Sequence, residues 1–325
     1  MADRIIPPAP PLIDPPELPR ALRDGHVVVG NFDGVHRGHA AVIAQAAEPA
    51  HAAGRPVVAL TFEPHPRNHF QPDRPLFRLT GRDEKARQLA RAGADATVVL
   101  TFDSALAAIE AEDFVADVLA RRLAAHTVVV GFDFHFGRGR RGSPSFLAEA
   151  GPRYGMFVEV VPPYGGATPV SSSAIRDHLA AGELAAANRL LGRRWSVDGE
   201  IVHGDKRGRD LGFPTANLRL APETRLAFGV YAVRALVDGR VIDGVASYGR
   251  RPQFDDGAPL FETYLFDFSG DLYGKSVRIE LVAYLRPEAK FESVAALIEQ
   301  MKRDVEDARA AIALPEDPLA PSALA

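Results

Sequence analysis

The chain has 325 residues, of which 46% are hydrophobic and 25% charged, with no cysteine and a net charge of −4. That length accommodates two domains, and the balance is that of a globular protein. The acidic charge excludes a general nucleic-acid binder, the missing cysteines exclude disulfides and thiolate metal sites, and no apolar stretch approaches the roughly 18 residues of a membrane span.

Residues 1–20 are rich in proline and are expected to be flexible. An acid and prolines stand where a signal peptide needs an apolar core, so a cytoplasmic location is expected. From 26 to about 161 the pattern alternates between short apolar runs and helical stretches. Strands are predicted at His26–Gly30, Pro56–Phe62, Ala96–Phe102, Thr127–Phe132 and Phe157–Val161. In the intervening Glu112–Ala124, Phe114, Val115, Val118, Leu119 and Leu123 share one helical face. Alternating units of this kind predict a parallel sheet with helices on both sides. Two short helices follow, at about Ser173–Ala181 and Leu184–Leu191.

Beyond them the period changes to that of strands: Trp195–His203, Gly229–Val237, Val241–Tyr248, Phe261–Phe268 and Ser276–Leu285, with Asp238-Gly239 as a hairpin turn. This predicts a small antiparallel barrel. A closing helix carries Val294, Leu297, Ile298, Met301 and Val305 on one stripe, and Pro315–Ala325 reads as a flexible tail. The boundary between domains is expected near 185–195.

The most informative segment is Gly30-Asn31-Phe32-Asp33-Gly34-Val35-His36-Arg37-Gly38-His39, between a strand and a helix. Histidines three apart at a helix start share a face. They stand beside unpaired N–H groups and the positive end of the helix dipole, a seat for phosphate. A zinc reading lacks a third ligand at suitable spacing. The pattern resembles the nucleotidyltransferases with an HxGH signature, which join a phosphate to the α-phosphorus of a nucleoside triphosphate.

Three other segments fall at ends of first-domain elements. Thr61-Phe62-Glu63-Pro64-His65-Pro66 reads as a rigid turn on its own. In Gly131-Phe132-Asp133-Phe134-His135-Phe136-Gly137, alternating phenylalanines either cap the core or line a slot for a flat ring. Val170-Ser171-Ser172-Ser173-Ala174-Ile175-Arg176 places hydroxyls and a guanidinium at a helix start, which suits either simple capping or phosphate. The loop Gly137-Arg138-Gly139-Arg140-Arg141-Gly142 matches a dinucleotide-binding spacing, yet follows the fourth predicted strand rather than the first. It is read as a basic flap or a solvated turn.

Taken in order, these four segments resemble the N-terminal module of the bacterial bifunctional riboflavin kinase/FMN adenylyltransferase (FAD synthetase) family. The second half extends the resemblance. The stretch Gly199–Asn217, with His203, Gly208, Gly212, Phe213, Pro214, Thr215, Ala216 and Asn217, is similar to the riboflavin kinase signature. Gly229-Val230-Tyr231, Glu262–Phe268, Asp271-Leu272-Tyr273-Gly274 and Lys290-Phe291 continue it, so that residues 24–310 are covered.

The resemblance implies an α/β nucleotidyltransferase domain with a Rossmann-like parallel sheet over 21–187. An antiparallel β-barrel riboflavin kinase domain with a C-terminal helix would occupy 188–313, and a tail 314–325. It implies two ATP-dependent reactions: phosphorylation of riboflavin to FMN, and adenylyl transfer to FMN giving FAD and pyrophosphate. Mg²⁺ would be the cofactor and ATP the co-substrate, with riboflavin, FMN and FAD as the other ligands and no nucleic-acid or membrane partner. In the kinase, Glu262 aligns with the family's catalytic Glu. Gly208, Gly212, Thr215 and Asn217 would hold ATP, the last two also Mg²⁺.

In the adenylyltransferase, His36 and His39 would donate to the triphosphate, while Asn31, Phe32, Asp33, Gly38, Ser172 and Arg176 bind ATP. Phe62, Pro64, His65, Asp133 and Phe134 would border the flavin. Departures from the family pattern occur at Ser247-Tyr248-Gly249-Arg250-Arg251-Pro252-Gln253 and at Tyr264, and bear on kinase efficiency or flavin preference. The alternatives are another HxGH nucleotidyltransferase with an unrelated β-domain, or a member with one activity. The sequence carries no signal for oligomeric state.

Overall fold

Strands flanked by helices on both faces read as unbroken apolar runs, and the central strand β2 (His26–Val29) is buried throughout. In the computed structural model, residues 11–165, 170–202, 213–250 and 259–324 are described. The chain divides into two compact units, Met1–Ser171 and Ser172–Ala325.

In the first unit, β1 (Leu12–Ile13), β2, β3 (Val57–Glu63), β4 (Ala96–Thr101), β5 (Thr127–Gly131) and β6 (Phe157–Val161) form one parallel sheet in the order β1-β4-β3-β2-β5-β6. Alternate residues of each strand feed opposite faces. Val28, Val57, Ala59 and Val129 pack with Ile43, Ala46 and Ala50 of α1 (Arg37–Ala52) and Leu89 of α3 (Arg82–Arg91). On the other face Val27, Val29, Leu60, Val98 and Val130 meet Phe114, Val115, Val118 and Leu119. Those four lie on a helix that starts as α5 (Ala111–Asp113) and continues as a π-helical segment over Phe114–Arg122. The chain runs from β2 outward on one side, then returns to place β5 on the other. The carboxyl end of β2 is therefore the topological switch point where ligands of such sheets bind.

The proline-rich N-terminus departs from expectation over its described part. Leu12 and Ile13 pair with Val98 and Val99, Asp14 accepts from the Thr101 N–H at 3.0 Å, and Leu18 is buried. The short helices α2 (Pro66–Phe70), α4 (Ser104–Ala108) and α6 (Pro144–Ala150) complete the unit.

The second unit opens with α7 (Ser172–Ala181) and α8 (Leu184–Leu191), so the division falls earlier than expected. Hydrogen bonds to the barrel explain this: the Ala227 N–H donates to the Leu179 carbonyl at 3.0 Å, and the Trp195 N–H to the buried Asn188 side chain at 2.8 Å. The closed barrel has the order β10-β11-β8-β7-β12-β9. Its strands are β7 (Ser196–Val202), β8 (Ala216–Leu218), β9 (Gly229–Val237), β10 (Arg240–Arg250), β11 (Pro259–Leu265) and β12 (Ser276–Arg286). Asp238 and Gly239 both have positive φ, as the tight β9–β10 hairpin requires.

The final helix α9 (Val294–Ala313) packs on the barrel through Ala308 and Ile312 against Val230, Ala232 and Val245. The expected stripe begins too early, since Val294 is exposed. Asp304 is buried on this helix because Arg286 grips it with two hydrogen bonds of 2.7 and 2.6 Å. The tail also differs from expectation. Ala320 and Ala323 are buried, and Ser322 Oγ donates to the fully buried Glu280 at 2.8 Å. No helix among the described residues is long and apolar enough to cross a membrane.

Candidate active sites

The first site is built on the turn between β2 and α1. His36 caps α1, its Nδ1 accepting from the His39 N–H at 3.3 Å. One turn apart, the two imidazoles stack with centroids 3.6 Å apart, and Phe32 meets His39 edge-on at 5.3 Å. Gly38 lies under the pair. A Cβ there would come within 3.1 Å of the His36 ring, so glycine lets the imidazole lie flat over the first helical turn. His36 is buried and His39 half-buried, which leaves one ring at the surface and the other behind it. Both stand at the positive end of a 16-residue helix, where anions are stabilised.

The turn itself is strained. Phe32 and Val35 have φ of +48° and +39°, a region rarely occupied by residues other than glycine and least of all by a β-branched one. Neighbouring chain holds it. Asp33 is 2% exposed and accepts from the N–H groups of Leu79 and Thr80 at 3.0 and 3.3 Å. The Gly34 N–H donates to Thr80 Oγ1 at 3.1 Å. The exposed Asn31 offers its carbonyl to Thr61 Oγ1 and to Lys85 Nζ, each at 3.0 Å. Lys85 is 2% exposed and pairs with Glu63 at 2.7 Å, and Arg78 binds the same carboxylate. Burial pushes the Lys85 ammonium below the ordinary lysine range, opposed by the Glu63 carboxylate. Of these residues Arg78, Leu79, Thr80 and Lys85 lie outside the sequence motifs.

The remaining first-unit residues sort by depth. Phe62 is buried in the core against Phe102 and Phe114. Pro64 is exposed, and His65 caps α2 by accepting from the Arg67 N–H at 3.1 Å. Asp133 and Phe132 are exposed after β5. The alternating phenylalanines divide: Phe136 enters the core, whereas Phe134 is half-buried and stacks on it at 5.5 Å. Thus β2, β3 and β5, which are adjacent, each deliver one of the predicted motifs from their carboxyl ends. In the basic loop, Arg138 pairs with Glu110 while Arg140 and Arg141 are exposed. Ser172 and Arg176, both half-buried, stand on the first turns of α7 in the second unit.

The second site lies on the barrel wall. Strand β8, which the sequence patterning did not reveal, pairs with β11 so that Asn217 is directly opposite Glu262. Side chains of directly opposed residues share a face, about 5 Å apart at Cβ. Ser247 on β10 faces Glu262 from the other side, giving a polar row across three strands. Phe261 and Tyr248, one residue away in that register, point to the opposite face and are buried.

Asn217 is 4% exposed, and its Oδ1 has no hydrogen-bond partner among the described residues. A buried orphan oxygen is costly unless a ligand satisfies it. As a hard donor it fits Mg²⁺, which takes oxygen ligands. Thr215 precedes β8 and is half-buried. Among the described residues no cluster of three His, Asp or Glu could hold a metal by itself. Gly208 and Gly212 lie outside the described residues, as do His203 and Arg251–Gln253.

Both halves of the chain resemble known proteins. The sequence model of the FAD synthetase family matches residues 18–174, and that of riboflavin kinase matches residues 191–312. A bifunctional riboflavin kinase/FMN adenylyltransferase of Escherichia coli is 39% identical over 90% of this chain and 94% of its own. That of Pseudomonas fluorescens is 40% identical over 87% and 91%. A solved Streptococcus pneumoniae structure described as a macrolide-efflux protein superposes with a TM-score of 0.78 at 33% identity, covering 88% of this chain and 94% of that one. With both halves matched in one polypeptide, the chain belongs to the bifunctional riboflavin kinase/FMN adenylyltransferase family.

Proposed function

We propose that the two activities divide between these two sites. The chain is a riboflavin kinase and an FMN adenylyltransferase, and ATP is the co-substrate of both. What supports the division is the placement of Glu262 across from Asn217 in the barrel, and of His36 against His39 at the helix start.

In the kinase reaction Glu262 takes the proton of the ribityl 5′-hydroxyl as its oxygen attacks the γ-phosphorus of ATP. A positioned base contributes roughly 10²–10⁴-fold. Thr215 and Asn217 would hold the phosphate end together with Mg²⁺, the Asn217 Oδ1 offering a hard oxygen donor. The ion would supply charge neutralisation for the transferring phosphate. Gly208 and Gly212 belong to the same proposal on their sequence motif alone.

In the adenylyl reaction the FMN phosphate attacks the α-phosphorus and pyrophosphate leaves. The nucleophile is already ionised, so the protein's task is alignment and stabilisation of developing charge. His39 and His36 donate to the polyphosphate beside the α1 N–H groups. Asn31, Phe32, Asp33 and Gly38 shape the nucleotide seat, Asp33 by securing the turn. Pro64, His65, Asp133 and Phe134 border the flavin, with Phe62 as core beneath them. For Ser172 and Arg176 the reading rests on the sequence motif: hydroxyls and a guanidinium at a helix start suit phosphate.

Incubating the protein with riboflavin and Mg-ATP, then separating flavins by chromatography, tests the reading. FMN should appear first and FAD after it. Formation of neither, by folded protein, would overturn it.

A further inference from the structure

A lysine 2% exposed, paired with a carboxylate below a ligand loop, calls for a reason. Buried ion pairs seldom stabilise a fold better than apolar side chains of equal volume would. Stability alone is therefore a weak explanation for Lys85 and Glu63. The geometry supplies another. The Lys85 ammonium donates to the Asn31 carbonyl at 3.0 Å, and Thr61 Oγ1 donates to the same oxygen at the same distance. Lys85 also lies 3.4 Å from that hydroxyl, so the three groups converge on one point. Arg78 binds the same Glu63 oxygen as Lys85, Oε1, and donates to the Thr80 carbonyl at 3.1 Å.

That point is where the turn begins. From Asn31 the chain enters the positive-φ residues Phe32 and Val35 and arrives at the cap, His36. Strained backbone of this kind persists only where its surroundings over-determine it. Here Asp33 accepts from the N–H groups of Leu79 and Thr80, Gly34 donates to Thr80, and the Asn31 carbonyl accepts from Thr61 and Lys85. The segment from 79 to 85 is thus a clasp on the nucleotide turn, and Lys85 is its charged end.

We infer that Lys85 is a positioning residue for adenylyl transfer, setting the Asn31–His36 turn through the Asn31 carbonyl so that the histidine pair meets the polyphosphate of ATP. It touches no reacting atom. The inference rests on the assignment of adenylyl transfer to this site. Misplacing a catalytic group by about an ångström costs roughly 10²-fold in rate, and the loss falls on kcat when the substrates still bind.

The test uses full-length protein and two assays on one preparation: FAD formation from supplied FMN, and FMN formation from riboflavin. Lys85→Met is expected to lower kcat for adenylyl transfer by about 10²-fold, with KM for FMN and the riboflavin phosphorylation rate unchanged. Arg78 still pairs with Glu63 in that variant, so no lone charge is left behind. Thr61→Val removes the second donor and should reproduce the kcat loss in weaker form, while Thr61→Ser, which keeps the hydroxyl, should not. Wild-type kcat in both Lys85→Met and Thr61→Val overturns the inference, as does a rise in KM alone. If Lys85→Met loses both activities, the Thr61 pair decides, and equal kcat for Val and Ser overturns it. Wild-type protein that makes no FAD from FMN would instead remove the assignment of adenylyl transfer itself.

Discussion

The proposed division assigns single side chains to one reaction or the other. Replacing His36 by Ala removes the cap of α1 and one donor at its start. FAD formation from FMN should fall by about 10²–10³-fold, the usual cost of losing one charge-stabilising donor, while riboflavin is still phosphorylated; chromatography of the products checks both. Glu262→Ala should do the reverse, slowing riboflavin phosphorylation by roughly 10²–10⁴-fold and leaving FMN adenylylation intact. Loss of both activities in both variants, with folding preserved, would refute the assignment. His26 tests the opposite end of β2. Burial, then the neighbouring His126 and Arg55, hold its imidazole below the ordinary 6.5. The unfolded chain therefore binds a proton at a pH where the fold does not, and stability should decline as pH drops below about 6.5. His26→Gln should flatten that decline, as read from urea midpoints at successive pH values.

At the level of elements, what was legible in the sequence followed from period and punctuation. Unbroken valines marked β2 and β5, and Asp238-Gly239 marked the β9–β10 turn. Strand β8 was not readable, because Ala216–Leu218 is three residues long and follows a glycine-rich stretch. Its absence from the prediction hid the register that sets Asn217 against Glu262, although both residues were named from their motifs. Lys85 carried one faint signal: it stands four residues before Leu89 and one before Ala86, on the buried side of α3. A buried charge in such a stripe does not announce its partner, and Glu63 lies on strand β3. The described parts of the chain's two ends are hard to read for a related reason. Proline and small residues lack periodicity, yet Leu12–Ile13 joins the sheet and the tail binds Glu280. Glu280 is fully buried with Arg194 at 3.0 Å, so each further donor matters. Ser322→Ala should cost about 1.5–3 kcal/mol, the range for a hydrogen bond to a charged group. Chemical denaturation of the variant checks this, and a change within error would show the tail to be incidental.

For the whole molecule, the sites belong to different stretches of chain, one around 30–39 and the other around 215–262. Mixing His36→Ala protein with Glu262→Ala protein should accordingly restore FAD synthesis from riboflavin, since FMN made by one molecule can be adenylylated by another. A mixture no better than its components would mean that FMN is not shared between molecules. The topology of the barrel bears on how such a chain is made. Its opening strand β7 is hydrogen-bonded to its last strand β12, near residue 280. A ribosome delivers the chain from the N-terminus, and domains generally fold as units in that order. The parallel sheet, complete at Val161, can condense while translation continues. The barrel must wait until β12 emerges, and pairings so distant in sequence form slowly. Nascent chains halted before that strand should therefore resist protease in the N-terminal half and remain cleavable beyond it.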